Sequence, residues 1–141
     1  MNALVCEFKE FYRELDISKL DALSSVYDDD VMFIDPVGEV SGLRDINRYF
    51  HKLCKRLDYC RFRFESEMID EQAAVFAWVM EYAHPRLAGG RDLQLPGMTR
   101  IEYGNKVVLH RDYYDLGAMC YEHLPLVGPL TRTVKSRLAH A

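Results

Sequence analysis

The sequence lacks the features that mark exported, membrane-bound and nucleic-acid-binding chains. It begins MNALVCEFKEFY, with no basic leader, no unbroken apolar run and no small-residue cleavage site, so we expect neither secretion nor membrane insertion. Its 18 basic and 22 acidic side chains are interspersed and give a formal charge of -4, without a broad basic surface for phosphate backbones. We therefore expect a cytoplasmic protein that does not bind nucleic acid.

Cysteine pairs and the common catalytic motifs are also missing. No CxxC pair and no Cys/His metal spacing occurs among the cysteines, which are Cys6, Cys54, Cys60 and Cys120. Reduced thiols are expected, with no metal and no cofactor. No GxGxxG, phosphate loop, GxSxG or HExxH motif favours a nucleotide-binding protein, a serine hydrolase or a zinc protease.

What remains has the size and pattern of one folded domain. The chain has 141 residues, 49% of them hydrophobic, which is enough to bury a core without crosslinks. It contains no internal repeat, low-complexity tract or linker. We therefore expect a single domain over residues 1–141.

The N-terminal part of the chain predicts two helices. Apolar residues recur at three- and four-residue steps over residues 2–15, as in an amphipathic helix. Ser18 and Asp21 resemble a capping box, which predicts a second, short helix. That helix is expected to include Tyr27 and to end at the acidic run 28–30.

A strand and a third helix are predicted next. The run VMFID, residues 31–35, is β-branched and aromatic and predicts a short strand that leaves Asp35 at its end. Pro36 then starts a loop. From Gly42 to Leu57 the helical period returns and predicts the third helix.

After residue 58 the period changes from helical to alternating and predicts a meander of about four long strands. The predicted strands cover residues 61–70, 73–84, 91–103 and 106–116. In the first, Phe62, Phe64 and Met68 share one face. The order of elements predicts an α+β domain whose helices cover one face of the sheet.

The second long strand is apolar on both faces. Phe76, Trp78, Met80 and Tyr82 point one way, and Val75, Val79 and Glu81 point the other. A sheet of this kind has one face for the helices and a second face for a partner subunit. We therefore expect a homodimer formed through the outer face of the sheet, by way of Trp78, Met80 and Tyr82.

The tail from Gly117 onward is interrupted by Pro125, Gly128 and Pro129 and predicts only short helical pieces. It is expected to pack over an open end of the sheet, with a lid or a dimer strap as alternatives. Its basic residues, Arg132, Lys135 and Arg137, are interpreted as a solvated helix face.

The candidate functional residues lie on the first helix and the strands. Asp35 precedes a Pro-Val-Gly turn, where burial would make its carboxylate a better proton acceptor, although aspartate also caps such turns. In the last strand His110, Asp112 and Tyr114 share one face. If this face points into a cavity, the three side chains form a reactive group, and if it points outward, they form a solvated polar strip.

Two further polar residues stand among apolar ones. Glu81 is an acid in an apolar strand and needs either a partner or an exposed strand end. Tyr12 lies on the apolar face of the first helix, as a core residue or as a donor to a ligand.

The segment FYRELDISKLDALSSVYDDDVMFIDPVGEVSGLRDINRYF, followed by a meander that ends in HRDYYDL, resembles the nuclear transport factor 2-like superfamily in its SnoaL-like and ketosteroid isomerase-like branch. The resemblance covers nearly the whole chain. It implies a cone-shaped α+β fold, with a curved antiparallel or mixed sheet packed against three N-terminal helices, and commonly a dimer.

Ketosteroid isomerases have a general-base aspartate before Pro-x-Gly and an oxyanion-binding tyrosine on the first helix. The resemblance implies those roles for Asp35 and Tyr12. The second oxyanion position of these enzymes falls on Gly97, so half of the oxyanion hole is missing.

HRDYYDL is also similar to the last strand of limonene-epoxide hydrolases. That similarity implies that Asp112 activates water and that Glu81 supplies a second carboxylate. The arginine of those enzymes falls on Val79, which cannot bridge two carboxylates, so this set is incomplete as well.

Together these observations predict a pocket for a small hydrophobic organic molecule. The expected acid/base and oxyanion-binding residues are Asp35, Asp112, His110 and Tyr12, and the expected pocket residues are Glu81, Tyr114, Phe33 and Val79. Proton transfer on a carbonyl compound, as in an isomerase or cyclase, is the leading hypothesis. The alternatives are a non-catalytic ligand-binding or accessory protein, and an epoxide hydrolase that uses Asp112.

Overall fold

The computed structural model describes residues 2–119, 121–123 and 127–140. The helices are α1 (Ala3–Arg13), α2 (Leu23–Val26), α3 (Leu43–Arg56), α4 (Leu116–Met119) and α5 (Val127–Ala139). The strands are β1 (Tyr27–Asp35), β2 (Gly38–Ser41), β3 (Tyr59–Ile69), β4 (Ala73–Ala83), β5 (Leu93–Tyr103) and β6 (Val107–Tyr114). Turns of 3₁₀ helix occupy Ile17–Ala22, Ala88–Gly90 and Tyr121–His123.

The six strands form one curved, open sheet in the order β2-β1-β6-β5-β4-β3, which confirms the predicted α+β class. Strands β1 and β6 run parallel and the other neighbouring pairs are antiparallel, so the sheet is mixed. Phe33 of β1 lies beside His110 of β6. Because side chains repeat every second residue, two steps along both strands bring Asp35 and Asp112 side by side on one face.

The inner face of the sheet is covered by α1, α3 and the segment 17–26 between them. Helix α1 buries Phe8, Phe11 and Tyr12, and α3 buries Ile46 and Phe50. Each fully buried aromatic or aliphatic side chain of this kind stabilises the fold by roughly 1.5–3 kcal/mol. The core between helices and sheet is therefore rich in aromatic rings.

The second predicted helix differs in type and in its end. Ile17–Ala22 is a 3₁₀ helix capped by Asp16, whose carboxylate accepts a hydrogen bond from the Ser18 N–H at 3.2 Å, and α2 is a single turn. Tyr27 does not belong to the helix but starts β1, because its side chain is fully buried in the core. The acidic run 28–30 continues this strand instead of ending a helix.

The segment after Asp35, expected to be a loop, contains the short strand β2. Its residues pair with β1 as a hairpin, with Asp35 opposite Gly38. The Asp35 carboxylate accepts hydrogen bonds from the N–H groups of Val37, at 2.8 Å, and Gly38, at 3.1 Å. The turn therefore fixes the orientation of this carboxylate.

A bulge in β3 overturns the predicted position of Met68. Phe64 pairs with Trp78, but the next pair joins Ser66 to Ala77, so one extra residue shifts the alternation. Met68 consequently lies on the outer face and is 78% exposed, whereas Phe64 packs against the core.

The alternation in β4 is as predicted, but the set of residues that was expected on the outer face of the sheet lies on the inner face. Trp78, Met80 and Tyr82 are buried beneath the helices. They cannot form a dimer surface. The outer face of this strand carries Val79 and Glu81 instead.

The tail contains a longer helix than expected. Helix α5 has 13 residues, and Pro129 lies in its first turn, where a missing N–H costs no helical hydrogen bond. Helix α4 packs over one end of the sheet, where its Met119 carbonyl accepts a hydrogen bond from the Tyr82 hydroxyl at 2.7 Å. Within the described residues, no helix is both long and apolar enough to cross a membrane.

The described cysteines are free thiols, as predicted. Cys6 is exposed, Cys54 is half-buried and Cys60 is buried. Burial raises the pKa of the Cys60 thiol to about 12, which makes it a poor nucleophile. Cys120 lies outside the described residues.

Candidate functional site

A cavity of about 430 Å³ lies between the inner face of the sheet and helices α1 and α3. Its lining is mainly aromatic and aliphatic, and it also contains two carboxylates, of Asp35 and Asp112, and four phenols, of Tyr12, Tyr49, Tyr82 and Tyr114. The lining residues used in the argument below are Tyr12, Phe33, Asp35, Tyr49, Phe62, Trp78, Asp112 and Tyr114, together with Arg56 and Arg86. The volume falls in the range of small-molecule sites.

Asp35 lines this cavity and also caps the turn, so both predicted roles of the residue occur together. Only 9% of it is exposed. Its Oδ1 accepts the two backbone N–H groups of the hairpin turn, and its Oδ2 accepts a hydrogen bond from the Tyr49 hydroxyl at 2.8 Å. Burial and the nearby charge of Asp35 raise the pKa of Tyr49, so this phenol stays a donor.

Asp112 presents a more available oxygen to the same cavity. Its Oδ1 accepts hydrogen bonds from the Thr99 hydroxyl at 2.5 Å and from His110 Nε2 at 2.7 Å. Its Oδ2 has no hydrogen-bond partner within the described part of the chain. One carboxylate oxygen is therefore held in place while the other remains available to a ligand.

His110 does not line the cavity but lies behind Asp112, with 1% of its surface exposed. A proton on Nε2, donated to the Asp112 carboxylate, leaves Nδ1 as an acceptor for the Tyr27 hydroxyl at 2.8 Å. Tyr27 then accepts a hydrogen bond from Tyr12 at 2.6 Å. The chain Tyr12, Tyr27, His110 and Asp112 satisfies all of these buried polar groups.

This chain changes the interpretation of Tyr12. Tyr12 lines the cavity, but its proton is donated to Tyr27 rather than toward a ligand. Burial raises the pKa of both phenols well above their ordinary value. Tyr12 is therefore a proton donor within the protein in this arrangement.

Tyr114 has the free phenol that Tyr12 lacks. It lines the cavity two residues after Asp112, on the same face of β6. No hydrogen bond to its hydroxyl occurs among the described residues. Burial, followed by the negative charges of Asp35 and Asp112, raises the pKa of Tyr114, so its hydroxyl keeps the proton that it can donate.

The prediction that Glu81 and Val79 line the pocket is wrong. Both residues lie on the outer face of β4, opposite Arg61 and Arg63 of β3. The Glu81 carboxylate accepts a hydrogen bond from Arg61 at 3.2 Å and lies 3.8 Å from the Arg63 Nε. The second carboxylate implied by the epoxide hydrolase resemblance is therefore absent from the cavity.

The missing oxyanion residue at Gly97 has a steric explanation. A Cβ atom at this position would lie 2.3 Å from the indole of Trp78, which crosses over the glycine. The indole Nε1–H donates a hydrogen bond to the Thr99 hydroxyl at 2.8 Å. The ring thus occupies the space of a side chain at 97 and also supports the group that holds Asp112.

Sequence reasoning missed four residues of this site, which are Tyr27, Tyr49, Trp78 and Thr99. Thr99 and Asp112 face each other across β5 and β6. That pairing follows from the hairpin register, but a register shift between Glu102 and Tyr103 prevents it from being found by counting back from the Gly104-Asn105 turn. The contact of Tyr27 with His110 depends on the parallel pairing of β1 and β6, for which the sequence gives no signal.

Among residues 2–119, 121–123 and 127–140, no three His, Cys, Asp or Glu side chains cluster in a way that could hold a metal ion.

A model of the SnoaL-like domain matches residues 8–110, which is more than half of the chain. None of the curated proteins matches the chain significantly. Solved structures match at low sequence identity, so they bear on the fold alone.

A protein with a ketosteroid isomerase-like fold from Catenulispora acidiphila DSM 44928, solved in complex with trimethylamine, has a TM-score of 0.75 and 14% identity, with 89% of this chain and 95% of that chain covered. An NTF2-like protein of unknown function from Burkholderia pseudomallei K96243 has a TM-score of 0.73 and 14% identity, with 84% of this chain and 95% of that chain covered. A candidate SnoaL-like polyketide cyclase from Shewanella putrefaciens CN-32 has a TM-score of 0.70 and 17% identity, with 82% of this chain and 90% of that chain covered. The domain match establishes that the chain belongs to the SnoaL-like domain family, and the solved structures show that it has the NTF2-like fold.

Proposed function

We propose that this protein is an acid/base enzyme of the isomerase or cyclase class that moves a proton on a small hydrophobic carbonyl compound. The observation that supports the proposal is the meeting of Asp35, Asp112 and Tyr114 in one largely apolar cavity. A carboxylate accepts a proton more readily where water is excluded, and a phenol beside it can stabilise the negative charge that develops on oxygen.

In the proposed reaction Asp112 Oδ2 takes a proton from the carbon next to the carbonyl group. The electron pair of the broken C–H bond forms the enolate C=C bond, and the carbonyl π electrons move to oxygen. The Tyr114 hydroxyl donates a hydrogen bond to this oxygen. Return of the proton to a different carbon completes an isomerisation. In a cyclisation the enolate carbon instead bonds to a second carbonyl carbon, the π electrons of that carbonyl move to its oxygen, and the resulting alkoxide takes the proton from Asp112.

The surrounding residues hold these groups in place. Thr99 and His110 both bind Asp112 Oδ1, so the carboxylate cannot rotate its Oδ2 away from the cavity. Asp35 already accepts three hydrogen bonds. We assign Asp35 to orienting Tyr49 at the cavity wall and to a secondary role as proton acceptor.

The test is exchange of the α-protons of 2-tetralone in deuterated water, followed by NMR. We expect Asp112→Asn to slow the catalysed exchange by about 100-fold or more, and Tyr114→Phe to slow it on the order of 100-fold. The matched controls are Glu81→Gln and Tyr113→Phe, which change an acid and a phenol of the outer face. Exchange that persists at the wild-type rate in Asp112→Asn would rule out the proposed base.

A second candidate function is binding of an organic cation without chemistry. Aromatic rings around two carboxylates are favourable to an ammonium group, because both the ring faces and the acids attract positive charge. The neighbour from Catenulispora acidiphila was solved with trimethylamine. In this case the protein would bind a hydrophobic amine and would leave the α-protons of ketones unexchanged.

We also propose that the chain forms a homodimer through the outer face of the sheet. In place of the buried residues first expected there, this face carries the half-buried Ala77 and Val79 and the exposed Met98 and Tyr113. No helix of the described chain covers it. A partner sheet would bury these apolar groups while the Arg61–Glu81 pair stays at the rim.

A further inference from the structure

The edge of the cavity carries positive charge that the fold itself does not use. Arg56 ends α3, and Arg86 lies between β4 and β5. Both side chains are exposed and both line the cavity. Neither makes a side-chain hydrogen bond or ion pair within the described chain, whereas Arg48, earlier in the same helix, lies 3.7 Å from Asp45.

The interior of the cavity has the opposite charge. Its acidic groups are Asp35 and Asp112, and both side chains are largely shielded from solvent. An anionic group of a ligand would be repelled by these carboxylates and would lose its hydration without gaining a partner there. A cationic ligand would have to pass two arginines to reach them. The cavity is thus polarised, with acids inside and bases at the mouth.

We infer that the cavity takes a hydrophobic keto acid, with the ketone beside Asp112 and Tyr114 and the carboxylate at the mouth between Arg56 and Arg86. This inference rests on the proposed function, to which it adds the substrate class. A guanidinium group binds a carboxylate with two parallel hydrogen bonds, so a pair of arginines at the rim fixes both the charge and the direction of the ligand. The apolar body then lies against Phe33, Phe62 and Trp78.

A cavity of about 430 Å³ accommodates a body of two fused rings with a short substituent. A suitable probe is therefore 2-tetralone with a carboxylate at position 6, on the ring away from the ketone. Its methyl ester has nearly the same shape without the charge, and its 6-aminomethyl analogue carries the opposite charge. The three probes differ only in the group that would reach the mouth.

Binding can be followed by the fluorescence of Trp78, the single tryptophan of the chain, which lines the cavity. We expect the carboxylate to bind about tenfold more tightly than the methyl ester at low salt, because two exposed ion pairs of ordinary strength supply that factor. The preference should shrink as ionic strength rises. The preference for the carboxylate should disappear in the double variant with Arg56→Gln and Arg86→Gln. The control Arg48→Gln removes an arginine of α3 that does not line the cavity and should keep the preference.

Equal affinity of the wild-type protein for the carboxylate and the ester, or a preference that survives in the double variant, would overturn the inference. Tighter binding of the aminomethyl probe would overturn it in favour of the cation-binding function. Proton exchange is measured on the same probes, so the two proposals fail separately. Exchange on the ester with no charge preference retains the enzyme but not the keto acid, whereas a charge preference without exchange retains the anion site but not the chemistry.

Discussion

The indole of Trp78 determines which residue position 97 can hold. A methyl group added at Gly97 would lie 2.3 Å from the indole, far below van der Waals contact, and the indole is fixed by its hydrogen bond to Thr99. Any side chain at 97 must therefore displace the ring that lines the cavity. The absence of an acid at this position follows from packing, and the enzyme proposed above uses Tyr114 as its oxyanion donor instead.

We accordingly expect Gly97→Ala to lower the free energy of unfolding by about 1–3 kcal/mol, as overpacking of a filled core does. The measurement is urea denaturation monitored by Trp78 fluorescence. Gly104→Ala is the matched control, because nothing lies within 4 Å of its added methyl group. Equal stability of the two variants would contradict the packing explanation.

Residue positions within the last strand could be predicted from the sequence, whereas hydrogen-bond partners could not. The period of two placed His110, Asp112 and Tyr114 on one face, and this face does point inward. The direction of each proton depends on Tyr27, which reaches His110 from a strand far away in sequence. Without this contact the sequence favoured a Tyr12 hydroxyl that donates to a ligand, whereas in the structure the hydroxyl donates to Tyr27.

At the scale of elements, the two faces of β4 illustrate a limit of pattern reading. The alternation separated Trp78 and Met80 from Val79 and Glu81 correctly. Because both sets are largely apolar, periodicity could not tell which set faces the helices, and the resemblance to epoxide hydrolases favoured a pocket position for Glu81. Strand β2 was missed for a similar reason, since four residues are too few to show a hydrophobic alternation.

The attachment of α5 depends on charge rather than on apolar packing. Lys135 forms ion pairs with Asp115 and, at 3.0 Å, with Glu122, while Leu130, Val134 and Leu138 along the same helix are exposed. The hydrogen bond from Lys135, with further ones from backbone amides, lowers the pKa of Asp115 below its ordinary value. The hydrogen bonds that Lys135 donates to Asp115 and Glu122 raise the pKa of Lys135, and the one to Asp115 is the largest cause.

The sign of the resulting pH dependence follows from these directions. A carboxylate whose pKa is lowered by folding stabilises the docked helix above its unfolded value of about 3.9 and loses that contribution as pH falls through the folded value. We expect the free energy that keeps α5 docked to fall below about pH 4. The loss is on the order of 0.5 kcal/mol, because the groups are largely exposed. Amide hydrogen exchange of α5 between pH 3 and 6 measures it, and Asp115→Asn should remove the dependence while Asp45→Asn, in α3, should keep it.

At the scale of the whole molecule, the two faces of the sheet have different tasks. The inner face bends around the cavity and supplies its carboxylates, whereas the outer face lies open and carries Met98 beside Tyr113. The general shape followed from the sequence, because three amphipathic helices and a meander have few ways to bury their apolar sides. The parallel pairing of β1 with β6 did not follow, although it is what brings Asp35 next to Asp112.

The open outer face leads to a prediction about the assembly of the chain. If two copies pack these faces together, Met98→Lys places a charge in the middle of the interface and should convert a dimer, with twice the 16.4 kDa mass of one chain, into a monomer. Sedimentation equilibrium measures the mass. Leu130→Lys is the matched control, because Leu130 is 65% exposed on α5, away from the sheet. A wild-type protein that sediments as a monomer would refute the dimer, and a Met98→Lys variant that remains dimeric would place the interface elsewhere. An intact dimer in Leu130→Lys together with a monomeric Met98→Lys would assign the interface to the sheet.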